Sequence, residues 1–353
     1  MHFILFVAGV IIIPIIWVSI VRLILEQRIS PDEVHFAPTA DGYEIALYRY
    51  RPDRINLKRE PVILCHGLSA NHLTWDPGSL PSFARHLVKE GFDVFTIDLR
   101  GRGLSSKPGS RRGRPLEWGW TFDDYVKYDL PAVINYVRRL TGFKEVNWVG
   151  HSMGGMVIYA YLQHHPDGGG LKSATAIASP GNFEHAKQYK PSLKYAPLIL
   201  RWKTVYTKTL ARFLAPFAYL VPAKRFGMSR RVMPWMAVNG LTNISSGELQ
   251  QFYYWAKNGT FSNKDGSMVY SDGFDKISRP LLTLVGKGDY IASPKNILHV
   301  AESCQKPEHK HVYFSKKYGS MANYDHISIL MSEPAVKEVY PIITDWLKKH
   351  SSA

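Results

Sequence analysis

Cysteine is scarce in this chain: Cys65 and Cys304 are the two thiols among 353 residues. Two thiols cannot form the multi-bridge framework of a small secreted domain, so a packed core must hold the fold. Cys65 stands in an apolar run that is typical of a buried strand, and we interpret it as an inert core residue. Repeats and low-complexity tracts are also lacking. With 45% hydrophobic and 13% aromatic residues, the chain can bury a large core.

Acidic residues are scarce too, with 29 Asp and Glu against 44 Lys and Arg. Residues 181–270 hold 13 basic and 3 acidic residues, a net charge of +10 out of the total of +15. Such an excess serves solubility, nucleic-acid binding or contact with anionic lipids. No nucleic-acid motif accompanies it, so we expect no nucleic-acid partner. Two interpretations stay open: lysines that face water, or a surface that meets anionic membrane lipids.

The first 25 residues are almost free of charge. Between His2 and Leu25 the single full charge is Arg22, and the segment is long enough for a transmembrane helix that tolerates Pro14. A cleaved signal peptide needs a basic start and a small-residue cleavage site, and neither is present. The sequence therefore predicts a transmembrane anchor at residues 1–25. Basic residues after it favour a cytoplasmic catalytic domain.

Beyond this segment, short apolar runs alternate with helical stretches. This alternation predicts a mostly parallel sheet with helices on both faces. Residues 44–48 alternate in polarity and are predicted to form an edge strand. A helix is predicted over residues 121–140, with a break or kink at Pro131. The runs predicted to be buried strands are 61–65, 94–97, 146–149, 174–178, 281–285 and 312–314.

The alternation stops between residues 181 and 271. This segment has no clear buried strand, contains several prolines and includes apolar helical stretches. We interpret it as an inserted helical cap. The chain then divides into an anchor (1–25), a first part of the core (26–180), the cap (181–271) and a second part of the core (272–353).

The segment Gly150-His151-Ser152-Met153-Gly154 matches the G-x-S-x-G pattern. In this pattern a tight strand-to-helix turn exposes a serine hydroxyl, and glycines avoid a crowded Cβ. A match alone arises by chance in roughly one chain in ten of this length. Here the match follows a predicted strand and begins a predicted helix, as the turn requires.

A serine needs a histidine base oriented by a carboxylate, in the chain order Ser, acid, His. Asp289 follows the predicted strand 281–285, although it could instead cap the next helix. Among 14 histidines, His326 alone combines the right order with a loop after a strand. Asp325 is not expected to be its partner, because neighbouring side chains diverge.

Acyl transfer also requires donors for the developing oxyanion. One candidate is the backbone N–H of Met153, directly after the serine. The second is the N–H of Leu68, in the loop that follows the strand ending at Cys65.

These motifs together resemble the α/β-hydrolases, over about residue 34 to the end of the chain. A narrower similarity to acid-lipase-like enzymes rests on residues 122–132 and 141–142. The resemblance implies an eight-stranded, mostly parallel sheet, a Ser152–Asp289–His326 triad, and Leu68 and Met153 as oxyanion donors. It implies neither a cofactor nor a metal. The motifs that carry it are 66–68, 98–105, 150–155, 288–289 and 325–326.

The sequence thus predicts a membrane-anchored serine hydrolase that cleaves lipophilic acyl esters through an acyl-enzyme. A thioesterase or acyltransferase could use the same triad, and a non-catalytic membrane scaffold is the alternative outside enzymes. Dehalogenases and epoxide hydrolases are disfavoured because they place an aspartate where Ser152 stands. Acyl length, the alcohol and the oligomeric state are left open.

Overall fold

The computed structural model describes residues 2–27, 29–53, 59–106, 118–186, 204–220, 228–304, 306 and 308–352. Side chains are described from residue 12 onward, except at 204, 205 and 219. All statements below concern these residues.

Eight strands form one sheet in the order β1-β2-β4-β3-β5-β6-β9-β10. The two pairings of β2, with β1 and with β4, are antiparallel, and the other five pairings are parallel. The predicted eight-stranded, mostly parallel sheet is therefore confirmed. The strands are β1 (Glu33–Pro38), β2 (Glu44–Tyr50), β3 (Val62–Cys65), β4 (Val94–Asp98), β5 (Val146–His151), β6 (Leu171–Ile177), β9 (Leu281–Gly286) and β10 (His309–Phe314).

The prediction of an edge strand at residues 44–48 is wrong. β2 lies between β1 and β4, and its neighbour β1 occupies the edge. The alternating polarity of β2 misled the prediction, because its polar positions contact other parts of the chain. The Tyr48 hydroxyl donates to Asp98 Oδ2 at 2.7 Å, and Arg49 Nε donates to Asp93 Oδ1 at 3.0 Å.

Helices cover both faces of the sheet. The α-helices are α1 (His2–Leu25), α2 (Phe83–Lys89), α3 (Phe122–Asp124), α4 (Leu130–Thr141), α5 (Met153–His164), α6 (Thr207–Leu214), α7 (Val232–Trp235), α8 (Ser246–Asn258), α9 (Pro294–Ser303), α10 (Ser328–Met331) and α11 (Glu333–His350).

Two apolar clusters fill the space between the sheet and these helices. Successive residues of β2 belong to different clusters: Ile45 and Leu47 to one, Ala46 and Tyr48 to the other. Alternate side chains of a strand point to opposite faces, so each cluster lies on one face of the sheet. Cys65 is fully buried in the first cluster, and burial raises the pKa of its thiol. This agrees with an inert core residue.

The predicted irregularity at Pro131 takes the form of a wide helical turn. Residues Tyr125–Asp129 form a π-helix between α3 and α4, and Leu130 N–H donates to Tyr125 O. Proline has no N–H to continue an α-helical ladder, and the widened turn before Pro131 accommodates that loss. The helix then ends at Gly142, which has a φ of 77°.

Between β6 and β9 the described residues include a second, two-stranded sheet. Its antiparallel strands are β7 (Thr204–Val205) and β8 (Ile244–Ser245). The sequence prediction of no buried strand in this region is wrong for β8, both of whose residues are buried. Two-residue strands are too short to produce a periodic pattern. The domain bounds at 181 and 271 stay a prediction.

α1 begins at His2 and runs to Leu25, but the transmembrane anchor predicted at residues 1–25 is not supported. Within the described part of the chain, no helix has both the length and the apolar character needed to cross a membrane. The described end of α1 packs instead against protein. Trp17 Nε1 donates to Phe213 O at 2.9 Å, and Val21 is buried with Ala215 and Val238.

Candidate active site

Ser152 occupies a strained turn between β5 and α5. Its φ of 54° and ψ of −120° place it in a region that residues with a Cβ rarely adopt. The flanking glycines are required sterically. A Cβ at Gly150 would lie 2.0 Å from Gly154 O, and one at Gly154 would lie 2.3 Å from Cys65 O. The turn packs so closely on β3 that larger residues could not form it.

His326 and Asp289 meet although 37 positions separate them. His326 Nδ1 donates to Asp289 Oδ2 at 2.8 Å, and both side chains are almost completely buried. Asp289 follows β9, and His326 lies between β10 and α10. Since Nδ1 carries this hydrogen bond, Nε2 is the ring atom that can accept a proton.

The second carboxylate oxygen of Asp289 holds its own loop. Asp289 Oδ1 accepts from the N–H groups of Ile291 and Ala292, at 2.9 and 2.7 Å. The carboxylate thus orients the imidazole and fixes the turn before α9. Asp325, in contrast, accepts from the N–H groups of Ile327 and Ser328 at the start of α10.

Ser152 and His326 both line a cavity of about 430 Å³. Leu68 lines it as well, whereas the side chain of Met153 is buried at the start of α5. Among the described residues, no acceptor is found for the backbone N–H of Leu68 or of Met153. Both N–H groups therefore remain candidates for stabilising an oxyanion.

The walls of the cavity are mostly apolar. No Lys, Arg, Asp or Glu is found among the described residues that line it. The core contributes the serine turn, and the region between β6 and β9 contributes much of the rest. The large apolar and aromatic lining residues are Leu68, Met156, Phe183, Trp235, Met236, Leu241, Leu249, Phe252, Tyr253, Ile291, Ile327, Leu330 and Met331. Such a lining favours the burial of apolar ligand surface.

Residues 66–71, which include the candidate donor Leu68 and are called the oxyanion loop after that predicted role, begin with a neutral histidine that anchors them. Complete burial lowers the pKa of His66 to about 4. Its Nδ1 donates to Gly67 O at 2.8 Å, and its Nε2 accepts from Leu99 N–H at 3.2 Å. These contacts require the neutral ring, because a protonated Nε2 could not accept.

The end of the loop is anchored by Asp98. Its carboxylate accepts from His72 N–H at 2.9 Å, from His72 Nδ1 at 2.8 Å and from the Tyr48 hydroxyl at 2.7 Å. Burial opposes its charge, but His72 holds the pKa of Asp98 well below its usual range. A Cβ at Gly103 would lie 1.4 Å from Asp98 Oδ2, which explains this glycine of the 98–105 motif.

Sequence reasoning missed the role of His151. Burial and the nearby His326 lower its pKa to about 3, and its Nε2 donates to His326 O at 2.8 Å. The residue before Ser152 therefore supports the loop that carries His326. In the sequence, the position of His151 inside the G-x-S-x-G motif was the one indication of a role. The motif does not indicate a hydrogen-bond partner 175 positions away.

Comparison with known proteins places the chain in a family. A family model for the alpha/beta hydrolase fold matches residues 60–327. A probable lipase of Schizosaccharomyces pombe is 24% identical over 359 residues, covering 90% of this chain and 77% of the relative. Gastric triacylglycerol lipase of Rattus norvegicus is 24% identical over 355 residues, covering 88% of this chain and 87% of the relative.

Solved structures agree on the fold. A bacterial membrane phospholipase A, described as a virulence factor, has a TM-score of 0.56 at 17% identity. The match covers 99% of this chain and 96% of that one. With the serine turn, the Asp289–His326 pair and the shared cavity, these comparisons show that the chain belongs to the α/β-hydrolase family and is a carboxylic ester hydrolase of the lipase and esterase type.

Proposed function

We propose that the protein hydrolyses carboxylic esters of lipophilic acyl groups through an acyl-enzyme on Ser152. The observation that carries the proposal is the 2.8 Å hydrogen bond from His326 Nδ1 to Asp289, beside a cavity that His326 shares with Ser152. An oriented histidine base next to a serine in a strained turn is the arrangement that activates a hydroxyl for attack.

The reaction would proceed in two halves. Ser152 Oγ attacks the carbonyl carbon while its proton passes to His326 Nε2, and the carbonyl electrons move to oxygen. The N–H groups of Leu68 and Met153 stabilise this oxyanion. The tetrahedral intermediate expels the alcohol, which takes the proton from His326. Water then attacks the acyl-enzyme with the same base, releasing the acid and restoring Ser152.

The cavity supports a neutral, lipophilic substrate. Its described walls offer no charged side chain to bind a carboxylate or phosphate, so binding depends on apolar burial. Each buried methylene contributes about 0.8 kcal/mol, which favours esters with longer acyl chains. The names of the relatives, which include a triacylglycerol lipase, agree with such a substrate.

We further propose that α1 attaches the enzyme to a lipid surface. Leu23, Ile24 and Ile13 are 87%, 72% and 67% exposed, and Leu220, after α6, is 81% exposed. Apolar side chains in this number usually mark a surface that meets a membrane or a partner. The match to a membrane phospholipase A extends over α1, which supports a lipid surface.

Two further features of this attachment are proposals from charge. Contact with anionic lipids would use the basic excess of residues 181–270, although seven of its 13 basic residues lie outside the described residues. A cytoplasmic position of the catalytic domain stays a prediction from the charges that follow α1.

The experiment that tests the activity compares Ser152→Ala with the parent protein on p-nitrophenyl esters of increasing acyl length. We expect the variant to lose roughly 10⁴-fold or more in kcat. The matched control is Ser179→Ala, a buried serine after β6 whose hydroxyl donates to Ile177 O; it should keep the parent rate. An active Ser152→Ala protein would refute the proposal. Added alcohol or thiol acceptors, if they take most of the acyl group, would indicate an acyltransferase.

A further inference from the structure

The oxyanion loop has a conformation that needs outside support. Ser69 has a φ of 56°, in the left-handed region that is unfavourable for a residue with a Cβ. Such conformations persist only where the surroundings hold them. The loop also lies against the nucleophile, because a Cβ at Gly67 would be 3.0 Å from Ser152 Cβ. A small shift of the loop would therefore change the position of Leu68 N–H relative to the reacting carbonyl.

The segment 239–242, at the end of a π-helix (Met236–Gly240), supplies this support through four hydrogen bonds. Thr242 N–H donates to Ser69 O at 2.8 Å, and Ser69 Oγ donates to Thr242 O at 2.6 Å. Thr242 Oγ1 donates to Ala70 O at 3.0 Å. Asn71 Nδ2 donates to Asn239 O at 2.7 Å. The loop is thus fixed from outside the core at three consecutive residues.

Asn239 connects this segment to α1 in the opposite direction. Its side chain is buried, with Oδ1 accepting from Gln27 N–H at 2.9 Å and Nδ2 donating to Leu25 O at 3.0 Å. Leu25 is the last residue of α1, where carbonyls have no partner within the helix. One amide side chain therefore binds the end of α1, while the same residue's carbonyl binds the oxyanion loop.

From this geometry we infer that Asn239 is a positioning residue, through which the end of α1 sets the oxyanion loop for catalysis. The inference rests on the proposed function, because it needs Leu68 N–H to act on the oxyanion. It assigns α1 a role in the rate of the reaction in addition to attachment. A residue with a merely structural role would lower stability and leave the turnover of each folded molecule unchanged.

The test measures complementarity to the transition state in Asn239→Ala and Asn239→Asp. A trifluoromethyl ketone is the probe: Ser152 Oγ adds to its carbonyl, the proton passes to His326, and the resulting oxyanion occupies the site of the donors. 1-Decanol is the comparison ligand, since it is neutral, has no carbonyl and binds without addition. The control is Asn258→Ala, at the end of α8, whose Nδ2 donates to Tyr254 O at 2.8 Å.

We expect Asn239→Ala to lower kcat for p-nitrophenyl butyrate by about 10- to 100-fold, since loss of a whole donor costs about 10²–10³. KM and the affinity for 1-decanol should stay within about twofold of the parent values, whereas the affinity for the ketone should fall in parallel with kcat. Asn239→Asp keeps the oxygen that accepts from Gln27 N–H but replaces the amide donor to Leu25 O with a second oxygen. The two facing oxygens repel each other, so kcat should fall at least as far as in Asn239→Ala. The Asn258→Ala control should match the parent protein.

Equal kcat and ketone affinity in the folded Asn239 variants and the parent would overturn the inference alone. A parent protein that neither hydrolyses the ester nor binds the ketone would overturn the proposed function instead. If the Asn239 variants do not fold, Asn71→Ala removes the same link from the loop side. That variant should show the same split between kcat and KM, and a parent-like kcat would overturn the inference.

Discussion

At the scale of single residues, each of the two carboxylate oxygens of Asp289 has its own role. One oxygen holds His326, and the other accepts from two backbone N–H groups. The sequence allowed either an acid of the triad or a cap before the next helix, and the structure places both contacts on one side chain. Because the two oxygens have different partners, an asparagine at position 289 would hold its side-chain amide in one defined orientation.

Asp289→Asn should therefore lower kcat by roughly 10⁴-fold. The introduced amide oxygen would stay on the N–H groups of Ile291 and Ala292, so its NH₂ would face His326 Nδ1. That ring nitrogen would then have to accept, which would place the proton on Nε2 and prevent it from taking the serine proton. The measurement is kcat on a soluble p-nitrophenyl ester together with circular dichroism to verify folding.

The matched control for this prediction is Asp325→Asn. Asp325 precedes the histidine, but its carboxylate accepts from backbone N–H groups at the start of α10. The control should retain most of the activity. An Asp289→Asn protein within tenfold of the parent would contradict the proposed role of the carboxylate.

The candidate triad could be predicted from the sequence because each member lies in the turn or loop that follows a strand. The carboxyl ends of parallel strands meet at one edge of a sheet, so local motifs suffice to place such residues together. Asn239 and His151 could not be assigned in this way. Their partners lie 168 and 175 positions away, and a hydrogen bond across that distance leaves no local pattern.

At the scale of elements, a buried ion pair joins α8 to the loop after β4. Arg102 Nη2 lies 2.6 Å from Glu248 Oε1, and both side chains are fully buried. Arg102 also donates to Arg100 O at 3.1 Å and to the Tyr125 hydroxyl. Charges taken out of water need a partner, so this pair restricts how α8 can sit on the core.

Glu248→Ala should reduce the free energy of unfolding by about 3–5 kcal/mol, because it leaves a buried guanidinium without its anion. Urea unfolding followed by tryptophan fluorescence measures the change. Lys348→Ala is the control, since it removes an exposed pair with Glu90 and should cost less than about 1 kcal/mol. If both variants lose less than about 1 kcal/mol of unfolding free energy, the Arg102–Glu248 pair does not stabilise the packing of α8 on the core.

The positions of the core strands could be predicted because buried strands are continuous apolar runs. The errors have physical causes. β2 was taken for an edge because its polar residues contact other segments, and β7–β8 is too short for a pattern. The excess of basic residues in 181–270 did not predict which residues face the cavity. The choice of lining residues depends on how distant segments pack together.

At the scale of the whole molecule, α1 connects an exposed apolar surface to the active site. Its outer residues are exposed, while its end contacts Asn239 and, through that residue, the oxyanion loop. Composition alone predicted a transmembrane anchor, because it could not show that the end of α1 packs against α6. We expect lipid contact through α1 to be separable from the chemistry.

The double variant Leu23→Glu/Ile24→Glu should reduce co-sedimentation with phosphatidylcholine–phosphatidylglycerol vesicles at least tenfold. Two apolar side chains, each contributing about 1.5–3 kcal/mol when buried, would be replaced by charges. Hydrolysis of soluble p-nitrophenyl butyrate should change little. Leu104→Glu is the control, since this exposed leucine lies in the loop after β4. Equal vesicle binding by all three proteins would exclude α1 as the attachment surface.

The central claim, that Ser152 is the nucleophile activated by His326, is tested most directly by covalent labelling. A fluorophosphonate reacts with an activated serine, which forms an O–P bond as fluoride leaves. Peptide mass spectrometry of the labelled, folded protein should place a single adduct on Ser152, with ester hydrolysis lost in proportion. Heat-unfolded protein and Asp289→Asn should label far more slowly. An adduct on another residue, or full hydrolysis by protein that carries the adduct on Ser152, would contradict the account.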